Sequence, residues 1–278
     1  MADTAAYLVD QLLPEAGYRQ WVLTFPWALR YHLAVDRPLF TALLRTFLRT
    51  LFAWQRRRGR AVGISDGQSG AVTFIQRFGS ALNLNTHGHS ILPDGLFVPN
   101  GSDSLLFAQL PAPTDDDVAL LTHKVARRLT AIAHRHLPQW EQPCDDEQAA
   151  LQYTLQVALQ TPHRTSAWTP VDKPLCATVD GFSVHAARTV ASDDRAGLER
   201  LCRYGLRAPL SLERLSILGD GRIQYRFARR WSNGQSALVV DPLDFLARLA
   251  ALIPAPYTNL VRYHGVFANR SRYRSQLP

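Results

Sequence analysis

The sequence predicts an α+β fold with a mostly antiparallel sheet and helices on one face. Three observations lead there. Short runs rich in β-branched and aromatic residues recur along the chain, punctuated by Gly, Pro and Asp. Two long segments, one after Asp36 and one ending at His136, carry apolar residues at helical spacing. The resulting order of strand, helix, strand, strand, more strand and helix is an α+β layout. With 278 residues the chain can form one large or two modest domains.

Taken in order, residues 4–13 form a short helix stopped by Pro14, and residues 19–25 a strand ended by Pro26 and Trp27. Asp36 is an N-cap with Pro38 inside the first turn. The helix it starts repeats Leu39, Leu43, Leu44, Phe47, Leu48, Leu51 and Phe52, and ends in Arg56, Arg57, Arg58 and Arg60. Residues 69–78 are a strand, turned by Gly79-Ser80-Ala81 into a second strand that begins at Asn83. Asp94-Gly95 after Pro93 is a turn signal and makes that second strand the first arm of a hairpin. Residues 95–98 and 105–110 are short strands, and Thr114 caps a helix that runs to His136.

Residues 138–146 read as a loop, 147–160 as an amphipathic helix, and 161–180 as Pro-rich and irregular. A strand at 182–190 follows, then a helix capped at Ser192-Asp193-Asp194 and running to about Leu206. A hairpin turns at Asp220-Gly221, residues 235–240 form a strand, 242–252 a helix and 259–267 a last strand. The boundary falls after residue 210. Residues 1–210 form the core, with an irregular excursion at about 138–180, and 211–278 a C-terminal α/β extension.

The formal charge is +8, and every basic residue but Lys124 and Lys173 is arginine. Arginine's planar fork suits phosphate, so the expected partner is a nucleic acid. No apolar run approaches a membrane span and no signal-peptide pattern begins the chain, so no membrane partner is expected. Cys144, Cys176 and Cys202 are odd in number and widely spaced. They argue against a disulfide framework or a four-cysteine zinc site, and fit a reducing cytosol.

Two stretches could carry chemistry. In a strand, Asn83, Asn85, His87 and His89 share one face. Two imidazoles so placed can share a divalent cation, or can simply be surface histidines on a half-polar strand. On the helix after Asp194, Leu198, Leu201 and Cys202 make a buried stripe. Arg200, Tyr204 and Arg207 make a second stripe, with Arg203 beside it. A tyrosine among arginines sits where a phosphate would bind, and cations favour its nucleophilic phenolate. An amphipathic tyrosine on a solvated face is the alternative. The Arg56-Arg57-Arg58 run offers a phosphate contact or a solvated helix end.

Taken together, the chain resembles the transposases of rolling-circle insertion sequences, the tyrosine-HUH single-strand endonucleases. The resemblance is carried by residues 20–26, 70–97, 201–210 and 260–267, and covers essentially the whole chain. It implies a ferredoxin-like nuclease core. His87 and His89 match the metal-binding pair for Mg²⁺ or Mn²⁺, and Tyr204 the nucleophile that forms a 5′-phosphotyrosine on single-stranded DNA. A third, polar ligand is expected: Gln76 is the first choice and Asn85 the second. Arg77, Arg200, Arg203, Arg207 and Arg56, Arg57 and Arg58 are the expected DNA contacts.

The resemblance also implies no small-molecule substrate and a location in the bacterial cytosol, at the nucleoid. The middle HUH residue is Gly88 rather than a bulky hydrophobe. Arg200 stands where two-tyrosine members carry the other tyrosine, so the single-tyrosine branch is expected. The family's cysteine-rich zinc region has no counterpart, and the first residues resemble a point just after it. A truncated, inactive DNA-binding remnant, and a relaxase or replication initiator with the same chemistry, are the alternative readings.

Overall fold

A computed structural model of the chain describes residues 2–137, 173–230 and 234–278. The Asp36 carboxylate accepts the Leu39 amide at 2.8 Å and Pro38 sits in the first turn, so helix starts there. The helix, α3 (Arg37–Ala61), follows α1 (Ala2–Tyr7), strand β1 (Tyr18–Thr24) and α2 (Leu29–Val35). Strands β2 (Gly70–Phe78) and β3 (Leu84–Pro93) come next, then β4 (Gly95–Asn100) and β5 (Ser104–Gln109). Helix α4 (Asp115–His136) opens on a full capping box between Thr114 and Asp117. Beyond it lie β6 (Cys176–Val179), β7 (Phe182–Val190) and α5 (Arg195–Gly205). The chain closes with β8 (Leu215–Ile217), β9 (Ile223–Arg226), β10 (Ala237–Val240), α6 (Pro242–Leu252) and β11 (Val261–Gly265).

Six strands form the main sheet in the order β11-β2-β3-β1-β7-β6. Each neighbouring pair is antiparallel. Its kernel is β1-α3-β2 followed by β3-α4-β7, with spatial order β7-β1-β3-β2: two interleaved split βαβ units, the ferredoxin-like arrangement. The α+β, mostly antiparallel fold predicted by the sequence is therefore the fold observed.

Crossover helices α3 and α4 pack on one face, where Trp21, Leu23, Phe47, Leu51, Val125 and Phe182 share a core. Burying each such side chain contributes roughly 1.5–3 kcal/mol. The opposite face is not bare. Tyr18, Phe74 and Ile91 there meet Leu8 and Leu12 of the N-terminal segment and Leu198 and Leu201 of α5. Strands β2 and β3 are buried along nearly their whole length, so the sheet needs a second layer. Helices on one face thus describes the crossover pair only.

The structure changes several local expectations. Strand β3 is not one arm of a hairpin with β4; it pairs with β1 and β2, while β4 pairs with β5 in a separate ribbon. Asp94 is instead a corner. Buried Arg19 grips both its carboxylate oxygens, at 2.9 and 2.6 Å, and turns the chain out of the sheet. Cys176–Val179, inside the stretch read as irregular, is a strand completed by β7. Helix α2 was not read from the sequence, and the N-terminal helix continues from Leu8 to Leu12 as a π-helix. Strand β11 follows the boundary at 210, yet forms the edge of the main sheet beside β2. The loop and helix expected at 138–160 lie outside the described residues.

Candidate active site

Strand alternation sends Gly88 toward α3, where a Cβ would meet Leu44 and Thr73 at 3.7 Å. His87 and His89 therefore face the α5 side, with ring centroids 4.8 Å apart. Gln76 of β2 lies directly across from His87 in register, and Phe74 across from His89. The His89 ring meets the Tyr204 ring edge-on at 5.6 Å. The sheet thus brings His87, His89, Gln76 and Tyr204 to one place. The histidines are not on an open face: they are 7% and 5% exposed, beneath α5, while Tyr204 is 37% exposed.

Helix α5 is held over them by specific contacts. Asp194 caps it by accepting the Gly197 amide at 2.7 Å. Its last residue, Gly205, is pressed onto β2: a Cβ there would stand 2.5 Å from Phe74 Cγ, so only glycine lets the helix lie this close. Gln76 Nε2 donates to the carbonyls of Tyr204 and Gly205 at 2.9 and 3.0 Å. These carbonyls belong to the helix end, where intrahelical partners run out. One side chain therefore ties the tyrosine's backbone to the histidine sheet.

The same contact fixes the Gln76 amide so that its Oε1 is buried without a hydrogen-bond partner. Asn85 Oδ1 is buried and unpartnered too, as are both ring nitrogens of His89. His87 Nδ1 donates to the Asn85 carbonyl at 2.7 Å, which leaves its Nε2 with the lone pair. Orphaned buried acceptors are costly unless something is bound there. Burial, with help from Arg207 and Arg30 and opposition from the Asn85 bond, pushes the His87 pKa down to about 4. Burial, His87, Arg207 and His185 push His89 down to about 3. Both rings are thus neutral at neutral pH, the form a metal requires. Among the described residues no group of three or more His, Cys, Asp or Glu could hold a metal. A cation here would be held by two imidazoles and amide oxygen, which fits Gln76 and Asn85 as the remaining donors.

The arginines divide. Arg207 lies just past the end of α5, and its guanidinium sits 4.2 Å from the Tyr204 ring centroid. Arg200 and Arg203 are instead ion-paired to Asp194 and Glu199 on the exposed helix surface. Arg77 alternates to the face opposite Gln76 and donates to the carbonyls of Ala34 and Ala251, at 2.9 and 3.1 Å. It thereby joins α2 to α6, with its guanidinium engaged by these carbonyls and not by the tyrosine. Arg58 stacks on Trp54 and donates to the Ala112 carbonyl. Gln55, which precedes Arg56, Arg57 and Arg58 in α3, bonds the Pro93 carbonyl, so this end of the helix lies at the far end of β3 from His87.

Sequence reading missed Arg188, whose guanidinium is 5.9 Å from the Tyr204 ring centroid. Register explains why. Arg188 pairs with Gln20 and His185 with Val22, so β7 carries one extra residue opposite Trp21. That bulge flips the alternation and brings residues three apart to the same face. A period-two reading of residues 182–190 assigns them to opposite faces.

A protein-family model, Y2_Tnp, described as "Putative transposase", matches residues 70–275. No curated protein and no solved structure matches. No described helix is long and apolar enough to cross a membrane.

Proposed function

Since that match spans residues 70–275, the chain belongs to this transposase family, and we propose that it nicks and rejoins single-stranded DNA as a tyrosine-HUH enzyme of rolling-circle transposition. Tyr204 is the nucleophile. Its oxygen attacks the scissile phosphorus and loses its proton, the P–O3′ bond breaks, and the O3′ leaves with the electron pair and takes up a proton. The products are a 5′-phosphotyrosine and a free 3′-hydroxyl. Rejoining is the reverse attack by a 3′-hydroxyl, so no external energy source is needed.

His87, His89 and the Gln76 amide oxygen are the residues to hold Mg²⁺ or Mn²⁺, with Asn85 next to them. When bound, the ion polarises the phosphate and orients it for in-line attack. Arg207 stabilises the tyrosine's negative charge and pairs with phosphate oxygen. Arg188 supplies a second cation from β7. Gln76 has two tasks, since its amide nitrogen anchors the tyrosine helix and its unpartnered oxygen would help hold the cation.

One observation carries this reading: the acceptors of His89 and Gln76 are buried without partners directly beside Tyr204. The test is a single-stranded oligonucleotide from an element end, incubated with the protein and Mn²⁺ or Mg²⁺. A covalent protein–DNA adduct is expected that needs the ion and disappears in Tyr204→Phe. An adduct that persists in Tyr204→Phe removes the tyrosine from the mechanism. Binding without any adduct by the unmutated protein assigns a DNA-binding remnant instead.

A further inference from the structure

Away from the tyrosine, α3 and β11 enclose a cleft of about 690 Å³. Arg37 and Arg45 line it from the helix, Arg262 and Arg270 from β11 and the segment after it. No carboxylate lines it, and among the described residues none of the four arginines is in an ion pair. Arg37, Arg45 and Arg270 are exposed. Arg262 is oriented by the Thr41 hydroxyl at 3.0 Å and by the Phe40 ring beneath it. His264, also lining the cleft, has a buried Nε2 with no hydrogen-bond partner. Four like charges held together without counter-charge, above an unpartnered donor or acceptor, call for a polyanion.

The cleft's position names the polyanion. Val261 lies opposite Phe74, which lies opposite His89, so the cleft sits level with the histidines. Two strand spacings, about 10 Å, separate β11 from β3. A second, apolar cleft of about 340 Å³ begins at Gln76 and Arg207 and also reaches Val261. The surface from Tyr204 to the arginines is therefore one path around the β11 edge. We infer that the basic cleft between α3 and β11 holds the phosphodiester backbone of the single DNA strand that passes Tyr204. The inference rests on the chain acting on single-stranded DNA, not on the tyrosine chemistry. Contacts of this kind bind phosphate regardless of base, so they lengthen the footprint without adding sequence preference.

The test measures binding of the full chain to a single-stranded oligonucleotide long enough to cross both clefts, and to a duplex of equal length, across a salt series. Arg45→Gln/Arg270→Gln is compared with Arg127→Gln/Arg135→Gln, which removes two exposed charges from α4. Each single-strand phosphate contact contributes about 0.7 to the salt slope, so the cleft variant's slope falls by about 1.4. Between 50 and 200 mM salt it then loses about sevenfold less affinity than the unmutated protein. The α4 variant keeps the original slope.

An unchanged slope in a folded cleft variant, or an equal fall in the α4 variant, overturns the inference. A fall confined to the duplex overturns the single-strand assignment. If the double variant does not fold, Arg270→Gln alone is measured, with half the change expected. Adduct formation is scored on the same unmutated protein. A slope change without an adduct leaves the cleft standing and removes the tyrosine mechanism.

Discussion

Gln76→Glu separates the two tasks assigned to Gln76 while keeping its shape. The amide nitrogen that donates to Tyr204 and Gly205 at 2.9 and 3.0 Å becomes a carboxylate oxygen facing two carbonyl oxygens. Two neutral hydrogen bonds of about 1 kcal/mol each are lost, about 2 kcal/mol before repulsion is counted. For a domain of this size that lowers Tm by about 4–8 °C. A carboxylate is also a stronger ligand for Mg²⁺ or Mn²⁺ than an amide, so adding either ion raises the variant's Tm more than that of the unmutated protein. Thermal unfolding followed by circular dichroism, with and without the ion, reads both effects. An unchanged Tm refutes the anchoring role, and an ion response no larger than that of the unmutated protein refutes the ligand role.

Four further outcomes are expected. Gly205→Ala drives a Cβ to 2.5 Å from Phe74 Cγ, costs about 1–3 kcal/mol by overpacking, and slows adduct formation by lifting Tyr204 off the histidines; unfolding and single-turnover cleavage measure it. Gly88→Ala has room beside Leu44 and Thr73, and raises stability by about 0.4–1 kcal/mol in a chemical denaturation series without altering metal response. Asp94→Ala strands the buried Arg19 guanidinium and costs about 3–5 kcal/mol, seen as a fall in the denaturation midpoint.

The fourth concerns pH. His87, His89 and His264 have folded-state pKa values pushed down to about 4, 3 and 4. The unfolded chain therefore binds more protons below its ordinary histidine pKa of about 6.5, and stability falls as pH drops from there toward 3. These histidines add no pH dependence above that range. His87→Gln/His89→Gln flattens the acid limb of a Tm-versus-pH curve, and an unflattened limb refutes the burial argument.

The sequence by itself determined most of the local elements and several of the residues that meet. Capping at Asp36 and Thr114, the apolar period of α3 and the Asp220-Gly221 turn are local signals, and each element formed where its signal lay. His87 and His89 share a face by alternation alone, and the buried stripe of α5 already turned Tyr204 out of its core. Only tertiary structure decided which arginines lie beside the tyrosine ring. Arg77 is taken up by two distant carbonyls, and a bulge in β7 brought Arg188 beside the Tyr204 ring. Pairing register placed Gln76 across from His87, and Gly205 let the helix descend until Gln76 could hold it. These contacts join residues far apart in the chain, so no local period or propensity encodes them. The basic cleft has the same origin, because its arginines come from α3 and β11 and become neighbours only when the last strand completes the sheet.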